Sequence, residues 1–314
     1  MSFAVYIPLG PGELEIDRIS DLLDSLFCYE PTVTQIVIVS DNDDAGSICF
    51  HAGRRACPIT ILPHPRKGNK LNRAGGLCTA NLIALNELGR TLNAIRFVVK
   101  LDTDSLIIAP FSRKVNSLLT SDPMIGTAGT LGTSCNRSIR SFYMDHLLSQ
   151  GLAAALAVGL SAAPHNSEEQ NLLRRWGIHT PTQLHSFQRI CRMLSPIHNM
   201  SFSGQHCQGG AYMISRRLVW RLSAIGFLET STDWLDLTIG EDQMMGALCT
   251  LAGLKVVDYS CVGEVFGVQA CGLPYSPSEL ITSGFSIIHS VKSDDQYSEQ
   301  SVRKYFQGIR HTRI

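Results

Sequence analysis

Apolar residues in the first third of the chain alternate between two spacings. Largely apolar runs fall at residues 3–7 (Phe-Ala-Val-Tyr-Ile), 35–39, 59–62 and 97–101 (Phe-Val-Val-Lys-Leu), and each has the length of a strand, the last of them a buried one. Between the first two runs, Ile16, Ile19, Leu22, Leu23 and Leu26 recur at helical spacing, and Leu77, Leu82, Leu85 and Leu88 do the same ahead of the run at 97–101. Strands alternating with helices require crossover connections and a parallel sheet. The predicted class is therefore α/β, a Rossmann-type open sheet, mixed but mainly parallel, flanked by helices.

Beyond residue 110 the pattern weakens. Glycines, serines and histidines are scattered around two helix-like runs, 142–160 and 184–194, and residues 120–200 are expected to form an insertion that could cover a site. Regular patterning resumes at Gly209-Gly210-Ala211-Tyr212-Met213-Ile214-Ser215, followed by a predicted amphipathic helix through Leu218, Val219, Leu222 and Ile225. A further helix is expected to open at Gly240-Glu241-Asp242 and run through Met245, Leu248 and Leu251. The tail from Lys292 is polar and is expected to be loosely held. Residues 1–314 are read as one domain.

Composition narrows the class. With 44% hydrophobic residues in 314, there is ample apolar surface for a large core. Lys+Arg and Asp+Glu each number 27, so no net field draws the chain to a nucleic-acid backbone, which argues against a dedicated nucleic-acid binder. The 10 cysteines include no C-x-x-C pair and several lie in apolar runs, which predicts buried reduced thiols. Met1 leads directly into a strand without the features of a secretory leader. The small-residue apolar stretch at 151–163 is shorter than the ~20 residues a spanning helix needs and reads as a core helix. These features predict a cytoplasmic protein, or one peripheral at the membrane, with no transmembrane segment.

In open α/β sheets the ligand crevice lies beyond the carboxyl ends of the strands. Both strand ends nearest that crevice are acidic: residues 35–39 run into Ser40-Asp41, and 97–101 into Asp102-Thr103-Asp104. Two hard carboxylates at one strand end suit a divalent cation shared with a diphosphate, Mn²⁺ or Mg²⁺ by donor type. Acids after strands also serve as turn and cap residues, the competing explanation for each cluster. Glu241 and Asp242 likewise either cap their helix or provide a carboxylate base, and His289, in the apolar run Ile287-Ile288-His289, is either a core histidine or a ligand.

At Val98-Val99-Lys100-Leu101-Asp102-Thr103-Asp104 the chain resembles the D-x-D strand end of nucleotide-sugar-dependent glycosyltransferases of the GT-A fold. Other segments match in the family's order. Val5-Tyr6-Ile7-Pro8 resembles the opening strand, and Ile36-Val37-Ile38-Val39-Ser40-Asp41 the second strand with its nucleoside-contacting acid. Gly68-Asn69-Lys70-Leu71-Asn72-Arg73-Ala74-Gly75 is similar to the segment before the D-x-D helix and strand. Gly209-Gly210 with the following strand resembles the sugar and acceptor floor, Glu241-Asp242 the Glu-Asp motif, and Ile287-Ile288-His289-Ser290 the strand supplying a metal-binding histidine.

The resemblance implies a GT-A-like domain with a nucleotide-binding half (1–110), an insertion or lid (120–200) and an acceptor and catalytic half (201–314). It implies a UDP-type donor held by Pro8, Asp41, Lys70, Asp102, Thr103, Gly209 and Gly210, and a metal on Asp102, Asp104 and His289. Asp242, with Glu241 beside it, would be the base of an inverting transfer to a glycan, lipid, protein or small-molecule acceptor. There is no Gln-x-x-Arg-Trp segment of processive synthases, and Ser40 stands where many members have another Asp. A haloacid-dehalogenase-like phosphatase also places D-x-D after an apolar strand, but Leu106 occupies its Thr or Val position and no later Gly-Asp-x-x-x-Asp occurs. A non-catalytic nucleotide- or carbohydrate-binding relative is the third reading.

Overall fold

Alternate residues of the central strands point to opposite faces, and here both faces are covered, which is why the strands read as unbroken apolar runs. The computed structural model describes residues 2–42, 57–66, 75–131, 171, 174, 178–200, 204–237 and 239–312. Lys70 and most of the 120–200 insertion, including the runs at 142–160 and 151–163, lie outside the described residues.

The chain proceeds through β1 (Phe3–Leu9), α1 (Glu13–Tyr29), β2 (Val33–Ser40), β3 (Ile59–Pro63), α2 (Gly75–Gly89), β4 (Phe97–Leu101), β5 (Leu106–Ile107), α3 (Ser112–Ser121) and β6 (Ile125–Leu131). After the insertion come α4 (Pro181–Leu194), β7 (Cys207–Ser215), α5 (Arg216–Ala224), α6 (Glu241–Leu251), β8 (Lys255–Asp258), β9 (Phe266–Val268), α7 (Pro277–Thr282), β10 (Ile287–His289) and α8 (Glu299–His311). Seven strands form one sheet in the order β3-β2-β1-β4-β7-β6-β8. Within it β7 alone is antiparallel to its neighbours β4 and β6, and the other pairs are parallel. A small sheet, β5-β10-β9, carries His289 on its middle strand.

On one face of the large sheet, Tyr6, Val37, Val98, Tyr212 and Ile214 pack with Leu82 and Leu85 of α2 and Met244 and Leu248 of α6. On the other, Val5, Ile36, Val99, Leu101, Ala211 and Met213 pack with Leu22 and Leu26 of α1 and with Phe266 and Ile287 of the small sheet. Lys100 falls at a position whose side chain belongs to the α2/α6 face, where the alternation calls for an apolar residue, and it is fully buried.

Several expectations from the sequence shift. Leu77, read as part of the buried stripe of α2, is 40% exposed, and Ile225 is the C-cap of α5 and 50% exposed. The tail is not loosely held. Residues 299–311 form α8, whose Val302, Phe306 and Ile309 pack with Leu280 and Val291, while Arg303 and Arg310 pair with Asp21 of α1. Its apolar positions are few, but their i, i+4, i+7 spacing and the Ser298 cap were readable signals. Among the described residues eight cysteines are free, four of them buried as expected; Cys261 and Cys271 are exposed.

Candidate functional site

β1, β2, β3 and β4 are mutually parallel and end together. The Asp41 N–H donates to the Leu9 carbonyl (2.9 Å) and the His64 N–H to the Ser40 carbonyl (2.7 Å), so the edge is continuous from Leu9 to His64. Pro8 and Asp41 are thus placed on one rim, with Pro8 paired in register to Val39. His64 is buried beside Asp41, Nδ1 to Oδ1 at 4.0 Å. Its Nδ1 accepts from the Arg66 N–H and its Nε2 donates to the Gly76 carbonyl, so the tautomer is set, and burial lowers its pKa. Nothing in the sequence singled out His64.

Further along the same edge, β4 delivers Asp102-Thr103-Asp104 into a tight turn. The Asp102 N–H donates to the Gly210 carbonyl of β7 (2.9 Å), and the Ser105 N–H returns to the Asp102 carbonyl (2.9 Å). The Thr103 hydroxyl donates to Glu15 of α1. Its carbonyl accepts from Arg303 of α8 (3.2 Å), so α1 and α8 brace the turn from outside.

The turn brings Asp104 against β10. Asp104 is buried, with Oδ2 accepting from the Ser290 hydroxyl at 2.7 Å and lying 3.4 Å from Lys292 Nζ. Among the described residues no donor forms a hydrogen bond to its Oδ1, which lies 3.3 Å from His289 Nε2. The His289 ring is oriented from behind: Nδ1 donates to the Gln269 carbonyl (2.9 Å), which leaves Nε2 to face the carboxylates. Asp102 Oδ2 is 3.9 Å from the same nitrogen. Ligand atoms of Asp102, Asp104 and His289 all lie within 4.8 Å of one another.

Electrostatics follow from that convergence. Burial acts to raise the Asp104 pKa, but the facing His289 imidazole, Lys292 and the Ser290 hydroxyl outweigh it and hold the carboxyl well below its ordinary value. Burial acts to lower the His289 pKa, and the Asp104 and Asp102 carboxylates with the Gln269 carbonyl raise it. Lys292 and Lys100 neutralise the outer oxygens of the two carboxylates, and the oxygens that face His289 Nε2 leave a place for a proton on that nitrogen or for a cation. A buried carboxylate oxygen without a hydrogen bond among the described residues and a nitrogen freed by its tautomer are the donors a divalent ion takes, so the residues fit a metal ion.

Asp102 is held from its other side. Lys100 Nζ lies 2.7 Å from Asp102 Oδ1 and 3.0 Å from Glu241 Oε1, and donates to the Gly209 carbonyl as well. It sits 5.7 Å from the ring centre of Tyr212. Burial works to lower the lysine pKa, and the two carboxylates more than reverse this. Tyr6 and Tyr212 wall the pair, with pKa values raised by burial and by the Glu241 charge. A lysine inside the apolar run 97–101 is the sequence signal of this centre.

The glycine pair has a steric reason. A Cβ at Gly209 would stand 2.8 Å from Glu241 Oε1, and one at Gly210 would fall within the His289 ring. The strand therefore admits Glu241 on one side and His289 on the other only because both positions lack side chains. Glu241 itself spends its carboxylate on Lys100. Asp242, the next residue of α6, accepts from the Gln243 N–H with Oδ1 (2.8 Å) and faces His206 Nε2 with Oδ2 (3.8 Å). His206 Nδ1 donates to the Gly204 carbonyl (2.8 Å).

The structure thus gathers Asp102, Asp104, His289, Gly209, Gly210 and Glu241 into one ionic centre, with Pro8 and Asp41 on the neighbouring rim. Lys100, Ser290, Lys292 and the Gln269 carbonyl belong to it too, the last three without any sequence signal. No helix among the described residues is long and apolar enough to cross a membrane. Comparison with protein-family models finds no match, and comparison with curated proteins finds none either.

Proposed function

We propose that the chain is a metal-dependent glycosyltransferase of the GT-A type, moving a sugar from a UDP-type donor to an acceptor hydroxyl. The observation that carries this reading is the Asp102-Asp104-His289 cluster at the carboxyl end of β4, with Asp104 Oδ1 buried and without a hydrogen bond among the described residues. Supporting it are the parallel strand ends that give a rim for the nucleoside at Pro8 and Asp41, and the antiparallel β7 that sets Gly209-Gly210 between the cluster and α6.

Asp102, Asp104 and His289 would hold Mn²⁺ or Mg²⁺, which when bound neutralises diphosphate charge as the leaving group departs. Lys100 keeps Asp102 Oδ1 turned away, so that Oδ2 faces the cluster. Lys292, 44% exposed and 3.4 Å from Asp104, stands where it can add a second positive charge for the diphosphate. Asp242 Oδ2 accepts the acceptor's hydroxyl proton. The acceptor oxygen bonds to the anomeric carbon, and the carbon–phosphate oxygen bond breaks with its electron pair leaving on UDP.

The test is calorimetry of UDP with and without Mn²⁺. The expected result is UDP binding that depends on Mn²⁺ and is lost in Asp104→Ala while the variant stays folded. Mn²⁺-independent UDP binding, or an unchanged affinity in Asp104→Ala, would defeat the assignment.

A further inference from the structure

Beside the ionic centre lies a half-open cavity of about 440 Å³. It shares a wall with the cluster: Gln269, whose carbonyl orients His289, lines it, and so does Gln208, the residue before the glycine pair. Its volume is in the range of small-ligand sites.

The lining selects a class of ligand. Among the described residues it contains no Asp, Glu, Lys, Arg or His, so none of them offsets the charge of a phosphate, carboxylate or amine, although such groups crowd the neighbouring cluster. Two aromatic rings supply the apolar wall. Tyr275 and Phe285 are stacked, with centres 6.1 Å apart and planes at 23°; Phe285 is buried behind, while Tyr275 is 44% exposed. Gly267 makes room for this pair, since a Cβ there would press the Phe285 ring at 3.1 Å.

The polar part of the lining is amide and hydroxyl. The side chains of Gln208 and Gln269 and the Tyr275 hydroxyl make no hydrogen bond among the described residues, while Thr130 and Ser260 donate to a carbonyl and a carboxylate and keep acceptor capacity. A primary amide offers a donor and an acceptor side by side, the complement of two neighbouring hydroxyls. An aromatic face takes up the C–H face of a saturated ring. Uncharged, bearing several hydroxyls and flat on one side describes a pyranose.

We propose that this cavity binds a neutral pyranose ring of the acceptor, which makes the acceptor a glycan rather than a lipid or a protein side chain. The proposal rests on the glycosyltransferase reading for the word acceptor, and on the cavity alone for the ring.

The test presents the fluorescently labelled full-length chain with Mn²⁺ to an array of immobilised neutral glycans. Binding should appear on a related subset, weaken at least tenfold in Tyr275→Ala, and weaken in Gln208→Ala or Gln269→Ala. Each substitution removes a side chain that is exposed or half-buried, and an unchanged melting temperature confirms the fold. Absence of glycan binding, binding only to charged glycans, or binding indifferent to all three substitutions overturns the proposal. A parallel UDP–Mn²⁺ titration of the unmodified chain keeps the two claims apart. Glycan binding without UDP binding sinks the enzymatic reading and leaves a carbohydrate site. UDP binding without glycan binding does the reverse.

Discussion

Lys100→Met is the most demanding test of the ionic centre. The lysine has no solvent exposure and, among the described residues, is the cation paired at 3.0 Å with Glu241 Oε1, a carboxylate whose side chain is only 5% exposed. Asp102, its second partner, is 27% exposed and retains contact with water. Replacing the lysine by an isosteric apolar chain removes the counter-charge of buried Glu241, whose field reaches Tyr6 and Tyr212, and costs about 3–5 kcal/mol. Asp102 adds less, because solvent screens it. Removing the second charge as well should recover most of the loss. In Lys100→Met/Glu241→Gln, one neutral amide replaces a buried anion, and stability should return to within about 1–2 kcal/mol of the unmodified chain. Urea denaturation of the four chains in the double-mutant cycle measures this directly. A coupling energy of about 2–3 kcal/mol is expected. Additive losses, with coupling below about 0.5 kcal/mol, would show that Lys100 and Glu241 do not neutralise each other and would remove the lysine from the centre.

Three other outcomes are expected. Gly210→Ala places a methyl group in the His289 ring, displaces it from the Gln269 carbonyl, and should weaken Mn²⁺ binding by about 10–100-fold in calorimetry, with the circular dichroism spectrum retained. Glu299 is held below its ordinary value of 4.5: burial opposes this, but hydrogen bonds from Arg18 and Arg303 prevail. Its contribution is therefore full above that value and lost as pH falls through the lower folded value. Melting temperature should decline less steeply below pH 4.5 in Glu299→Gln than in the unmodified chain, by an amount worth less than about 1 kcal/mol because the site is partly solvated. Asp242→Asn keeps size and helix capping but cannot take up a proton, so kcat should drop by roughly 10²–10⁴-fold with UDP–Mn²⁺ affinity unchanged; turnover within a few-fold of normal would make Asp242 a cap.

Much of the sheet was legible because burial on both faces, as in β1 and β4, leaves the plainest pattern a strand can have. β2 and the half-exposed edge strand β3 also appear as largely apolar runs of nearly the right length, and the acids after β2 and β4 mark the crevice edge. What escaped notice was held by contacts distant in sequence. β5 is two residues long and exists because β10 pairs with it. α8 carries few apolar positions and is fastened by Arg303 and Arg310 to Asp21, 282 and 289 residues away in the chain. Ser290 and the Gln269 carbonyl enter the site through the small sheet, whose pairing no local spacing announces.

Lys100 belongs to neither group, and it shows where pattern reasoning and site chemistry part. By alternation its side chain must enter the core between the central sheet and α6, where an unpaired ammonium would be prohibitive. A lysine at that position therefore implies anions brought to it by other segments, and the two that arrive are Asp102, two residues on, and Glu241, at the start of α6. The same cation that makes Glu241 tolerable also fixes one oxygen of Asp102, so helix α6, the β4 turn and the glycine pair of β7 share a single buried charge. Displacing any one of these segments leaves a charge uncompensated in the core. Asp102 and Asp242 are thereby held to one geometry through a residue that need touch neither metal nor substrate, and a buried cation at the end of an apolar strand is itself a signal that the acids around it form a site.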